Sequence, residues 1–219
     1  MKHSNKLIWL FAVLFFCGVS GQSYAQTLKD FFNSSEITVT YLGIDFTKAR
    51  LINSVTANPT DIKNRIYRSI NDVVLNEPKK FDFKEPFHKS NISSDLTAMH
   101  ARNEKVNAEE IVSSNSDDFF RLKESDMAAT AKALNISGKK GIGIFFVYEA
   151  MKSIEKGDDL AAVWTVLIDL ESKKVLLSER FEVKARGFGF RNIWASAIKA
   201  TLDEIDKNKY KDWKSKYGS

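Results

Sequence analysis

Cysteine, histidine and proline are scarce, with one Cys, three His and three Pro in 219 residues. The lone Cys17 excludes an internal disulfide, so the fold has to be held by an apolar core. Beyond the first few residues only His88 and His100 remain, with no EF-hand loop and no His-Glu-x-x-His pair, so no metal site is expected. A Gly-x-Ser-x-Gly elbow is also missing and neither histidine follows an evident partner, which makes a hydrolase built on them the lesser reading. Gly187-x-Gly189 lacks the third glycine of a dinucleotide fingerprint, and Gly138-Lys139-Lys140-Gly141 lacks the Gly-Lys-Ser/Thr ending of a phosphate loop. Both read as turns. The expectation is a chain without metal or cofactor, and a binder more than an enzyme.

Long hydrophobic runs are missing too, except at the start. Lys2, His3 and Lys6 precede an apolar run from Leu7 to Val19, followed by Ser23-Tyr24-Ala25. A basic n-region, a short h-region and a small-x-small site make a secretory signal peptide over residues 1–25, with cleavage expected after Ala25. Cys17 invites a lipoprotein reading, but Phe15 and Phe16 stand where small residues are needed. The chain is therefore expected in the periplasm or outside the cell, with no transmembrane helix in its mature form.

Charge of one sign is in short supply as well. The formal net charge is +5; without Lys2 and Lys6 it is +3, and the lysines at 207, 209, 211, 214 and 216 against Asp212 account for +4 of that. Residues 26–206 thus come to −1, which excludes the basic stripe of a nucleic-acid binder. The lysine-rich end, with Tyr210, Trp213 and Tyr217, has two readings: contact with an anionic surface, or a helix whose aromatic stripe packs inward while its lysines stay in water.

The pattern that is present predicts an α/β (α+β) domain over residues 26–206, followed by a basic aromatic tail at 207–219. Residues 37–46 are β-branched and aromatic on both parities, the mark of an inner strand. Asn58-Pro59-Thr60-Asp61 opens a helix carrying Ile62, Ile66, Ile70, Val73 and Val74. Phe81, Phe83 and Phe87 alternate as a short peripheral strand. Residues 88–118 give little, beyond a hint of helix at Ile92, Leu96 and Met99. A helix from Glu124 to Asn135 leads into an apolar strand from Gly141. Residues 160–170 and 175–185 then form a hairpin, and Trp194, Ile198, Leu202 and Ile205 mark a last helix. The expected fold is an open mixed sheet of four to five strands with a late hairpin and three main helices.

Arg191 is the residue that most needs explaining, because a guanidinium at a helix start meets unfavourable backbone dipoles. Asp45, Glu149 and Asp169, each near the end of an apolar strand, are the acids that could hold it. Tyr148, Trp164 and Asn192, the last a candidate cap, complete a candidate ligand or partner site; the competing reading is a structural ion pair. Phe188 and Phe190 are expected to plug the bend between strand and helix.

Three stretches carry a resemblance. Gly141-Ile142-Gly143-Ile144 running to Tyr148-Glu149, Val166 to Leu170 with Lys174-Val175-Leu176, and Gly187-Phe188-Gly189-Phe190-Arg191-Asn192-Ile193-Trp194-Ala195 resemble a family of uncharacterised secreted proteins from Bacteroidota. In layout the chain is also similar to the amino-terminal domain of TolB and to CsgG-like envelope proteins, with Asp169 before the hairpin turn and Asp45-Phe46 ending a strand. The first resemblance implies where the protein is found, and the layout similarity implies binding of other envelope components. With export and the missing catalytic signatures this gives a non-enzymatic interaction or assembly module. The alternative, a binder of a small or glycan-like ligand at the strand ends, rests on Tyr148, Glu149, Trp164 and Arg191 as expected neighbours. The partner would be an envelope protein or a small polar ligand.

Overall fold

The most apolar stretch of the chain becomes the middle of the sheet. In the computed structural model, which describes residues 23–54 and 57–219, it is strand β5 (Ile142–Lys152), buried along nearly all its length. Strand β6 (Asp159–Asp169) runs antiparallel to it, and β7 (Val175–Ala185) antiparallel to β6. On the other side of β5 lie two parallel strands in one row. β1 (Val39–Asp45) pairs with residues 142–147, and β2 (Arg50–Ile52) pairs with residues 150–152 after the chain steps out at 46–49. Beyond them, β3 (Ser93–Ser94) pairs with β1 and β4 (Val112–Ser113) with β2, both parallel. The seven strands therefore occupy five rows of one mixed sheet.

Helices cover both faces, which is why β1, β5 and β6 are apolar on both parities. One face carries α1 (Ser23–Asn33), the helix opened by α2 (Pro59–Asp61) that passes through a π turn at Ile62–Ile66 into α3 (Tyr67–Asn76), and α7 (Phe190–Glu204). Met99 of α5 (Thr97–Asn103) and Met127 and Ala131 of α6 (Glu124–Ala133) pack on the other. Asn58 caps α2 as its sequence requires, accepting from the Asp61 amide at 3.1 Å with Pro59 in the first turn. Trp194, Ile198, Leu202 and Ile205 are all buried, so the stripe read from the last helix faces the sheet.

β3 is too short to cover all of β1, and two asparagines finish the edge. Asn71 of α3 accepts from the Ile44 amide at 2.8 Å and donates to its carbonyl at 3.1 Å. Asn103 of α5 accepts from the Phe46 amide and donates to the same Ile44 carbonyl, both at 2.8 Å. Both side chains are buried, so main-chain groups that would otherwise be orphaned are satisfied where no strand lies alongside. The close approach depends on Gly43, at φ 103°, where a side chain would press on Asn71, Leu96 and Met99.

Three expectations change. The Phe81–Phe87 stretch is no strand: it is a turn followed by the short helix α4 (Lys84–Phe87), with Phe81 and Phe87 buried and Phe83 stacked on Tyr41 at 4.2 Å. Residues 88–118 supply β3, α5, β4 and two 3-10 turns, Ala108–Glu110 and Ser116–Phe120. The lysine-rich end continues the last helix through a π turn (Ile205–Lys209) into α8 (Tyr210–Tyr217). Tyr210 and Trp213 are buried, Phe32 of α1 packs on Tyr210 and Tyr217, and Lys209 pairs with Glu179 at 2.6 Å. Lys207, Lys211, Lys214 and Lys216 stay exposed.

No helix of the described residues is long and apolar enough to cross a membrane. The apolar run from Leu7 to Val19, and with it most of the expected signal peptide, lies outside the described residues.

Candidate functional site

The seven residues singled out from sequence separate into five places. Glu149 and Trp164 do meet. Glu149 is the extra residue of a bulge in β5, between Tyr148 opposite Val163 and Ala150 opposite Ala162, and the alternation of the strand places its side chain on the α6 face with Phe145 and Val147. There Oε1 accepts from the Leu122 amide at 2.6 Å, while Oε2 accepts from Trp164 Nε1 at 3.1 Å and Arg180 Nε at 2.7 Å. Arg180 also reaches Glu182 at 2.5 Å and the Phe119 carbonyl, and lies over the rings of Phe119 and Phe120. Glu149 is fully buried and accepts three bonds, so this ion pair holds the 116–122 segment to the sheet.

Asp45 forms a second closed cluster on the same face. Its Oδ2 accepts from Arg102 Nε at 2.6 Å and its Oδ1 from the Thr47 amide at 2.7 Å, and Arg102 continues to the hydroxyls of Thr47 and Thr130. Asp169 turns the hairpin, its Oδ1 accepting from the Ser172 amide at 2.8 Å and the Ser172 hydroxyl at 2.6 Å. Tyr148 lies on the opposite face, fully buried, its hydroxyl donating to the Trp194 carbonyl at 3.2 Å. Burial holds that phenol protonated, its pKa well above the ordinary range.

Arg191 meets none of the three acids expected to hold it. Asp45 and Glu149 face α5 and α6, so the sheet itself separates them from α7. Asp169 pairs with Ile142 at the start of β5, whereas the turn carrying Arg191 follows Ala185, which pairs with Asp159 at the far end of β6. A strand of that length separates the two by roughly 30 Å. The guanidinium is exposed and donates to Asn192 Oδ1 at 3.3 Å. Asn192 is not the helix cap either. It lies in the first turn, donating to the Phe188 carbonyl at 3.0 Å, and the cap position belongs to Gly189 at φ 79°.

Arg191 and Asn192 instead line a groove of about 580 Å³ at the end of the sheet. One wall is the loop 188–192. The other is the first turns of the α2–α3 helix, with Asn58, Asp61, Arg65 and Ser69. Arg65 grips Asp61 with two bonds of 2.8 and 2.7 Å, and that guanidinium holds the Asp61 carboxyl below its usual range. Phe190 stacks on Trp194 at 5.1 Å, and Trp194 on Tyr148 at 4.5 Å, so Tyr148 lies behind the groove wall. Phe188, expected to plug the bend, is 93% exposed at the rim. Gly187 and Gly189, at φ 148° and 79°, give its loop a backbone that side-chained residues rarely adopt.

Sequence reasoning missed the second wall. Asn58 and Asp61 were read as a cap and a first-turn acid, and nothing in a cap motif says which loop it will face. Phe188 had a readable signal: an aromatic between two glycines, out of phase with the Trp194–Ile198–Leu202 stripe. Among the described residues no group of three or more His, Cys, Asp or Glu is placed to hold a metal.

No protein-family model and no curated protein sequence matches the chain. Among solved structures it is similar to a PelC dodecamer from Paraburkholderia phytofirmans, at 10% identity and a TM-score of 0.30, over 80% of this chain and 89% of that one. It is also similar to a protein described as a neuraminyllactose-binding hemagglutinin homologue from Helicobacter pylori (8%, TM-score 0.32, 83% and 90%). A third is lipoprotein GNA1162 from Neisseria meningitidis (11%, TM-score 0.30, 76% and 99%). At such TM-scores none of them bears on the function of this chain.

Proposed function

We propose that this chain is an exported, non-enzymatic interaction module of the cell envelope, and that it binds through the groove between the 188–192 loop and the α2–α3 helix. The observation that carries the reading is Phe188, an aromatic ring held 93% exposed at the rim of a groove whose walls mix polar side chains with apolar ones such as Ile62 and Phe190. Exposing a whole phenyl ring to water is unfavourable by roughly 1.5–3 kcal/mol relative to burying it, and large aromatics in such positions serve as interface anchors. Arg191 adds an exposed cation beside it. The buried carboxylates have the opposite character, since Asp45 and Glu149 are consumed by Arg102 and Arg180.

Export rests on the opening segment of the sequence and on the resemblance to secreted proteins. Capture from envelope extracts with the purified chain as bait, followed by identification of what is retained, tests the reading. The wild-type chain should retain one or a few envelope components and Phe188→Ser should lose them. Equal retention by both would refute the assignment of the groove.

A glycan-like ligand is the second reading, favoured by the planar polar groups of Asn58, Asp61, Arg65 and Asn192 around an exposed ring. Titration with envelope oligosaccharides, followed through Trp194 fluorescence one ring behind the wall, separates it from a protein partner.

A further inference from the structure

The two edges of the sheet are built differently. One ends in β3 and β4, two residues each, and the other in β7, eleven residues long and paired with β6 alone. No other described segment adds a main-chain hydrogen bond to residues 175–185. A long strand with one free side is a template for a further strand. We propose that two copies of this chain pair through β7, antiparallel, about a two-fold axis at Phe181, so that the sheet runs on from one copy into the other.

The charges of β7 select this partner and this register. With the axis at Phe181, Arg180 stands opposite the partner's Glu182 and Glu182 opposite the partner's Arg180. Directly opposed residues have Cβ atoms about 4.5–5.5 Å apart, close enough for two ion pairs on the α6 face. On the α7 face Phe181 meets its own copy and Leu177 meets the partner's Ala185. An axis at Glu179, Arg180 or Glu182 sets a like charge against itself at the centre. An axis at Val183 opposes Glu182 and the partner's Lys184, but overlaps only residues 181–185, against 177–185 for Phe181. Glu182 is half exposed, with its carboxylate on Arg180 of its own strand, so the partner's guanidinium joins a pair already formed. Such an interface is self-complementary and closes at two copies.

Analytical ultracentrifugation of the chain across a concentration series, paired with a disulfide trap, tests the proposal. The wild-type chain should sediment as a dimer, and Glu182→Lys, which sets lysine against the partner's Arg180 twice, should weaken dimerisation about tenfold or more. The trap uses Ser178→Cys and Lys184→Cys chains, each also carrying Cys17→Ser, because Ser178 stands opposite the partner's Lys184 in this register. Mixed and oxidised, the two should cross-link to each other, while neither cross-links alone. The trap decides the matter even if Glu182→Lys fails to fold. A wild-type chain that is monomeric up to about 100 µM overturns the proposal, and so does a dimer in which the mixed pair fails to cross-link.

Discussion

The cluster at Glu149 and the groove at Arg191 are built from the same materials, a charged side chain near a strand end with aromatic neighbours, and they come out as opposites. At Glu149 every acceptor is engaged and water is excluded, with the carboxylate taking bonds from Leu122, Trp164 and Arg180 inside the fold. At Arg191 the guanidinium meets one neighbouring amide and Phe188 stands in solvent. A charge whose partners are all internal organises the fold, whereas one left with room around it is available to something else. The difference comes from which face of the sheet each residue occupies, and residue type alone does not carry that information.

Breaking the closed cluster should have the largest effect. Glu149→Ala leaves Arg180 and two N–H donors without their acceptor in a buried place, and should destabilise the chain by about 3–5 kcal/mol. Urea unfolding reads this directly, and binding measured on the folded fraction should be unchanged. A loss of binding there would erase the contrast with the groove.

Helix α7 carries the contrast along its own length, since its first turn lines the groove while Ile198 is fully buried against the sheet. Ile198→Ala should cost about 2–5 kcal/mol, measured in the same way. An unchanged urea midpoint would mean that the stripe faces water.

A smaller effect sharpens the difference between buried and exposed pairs. Lys139 beside Asp95, helped by the Thr97 amide, pulls the Asp95 carboxyl from its usual 3.8 down to about 2. A folded-state pKa below the unfolded one contributes stability that is present above about pH 4 and is lost as pH falls through about 2. Because the pair is partly in water, the contribution is at most about 1 kcal/mol. The stability gap between wild type and Asp95→Asn should therefore shrink between pH 5 and pH 2. A gap that stays constant would mean that the carboxylate has no partner.

The long apolar strands and the capped start of the α2–α3 helix were legible because burial on both faces and an Asn-Pro cap leave local marks. β2, β3 and β4 were not. Ser93–Ser94 and Val112–Ser113 are strands because β1 and β2 offer them an edge, with no apolar alternation of their own. The alternating phenylalanines at 81, 83 and 87 misled, since residues that pack from a turn and a short helix can fall in strand phase by chance. Of the proposed site, Glu149 with Trp164 and Arg191 with Asn192 are each brought together. What joins or parts those pairs is the direction of β6 and its register on β5, which sets Trp164 opposite Val147 beside Glu149, and both arise from pairing across the sheet.

The most direct test of the account is the Phe188→Ala variant, carried through urea unfolding and envelope-partner capture on one preparation. Truncating an exposed ring away from the core should move stability by no more than about 0.5 kcal/mol, while capture falls to the level of a bait-free control. A variant that captures its partner as well as the wild-type chain, or that loses capture only because it unfolds, would contradict the claim that this groove is where the protein works.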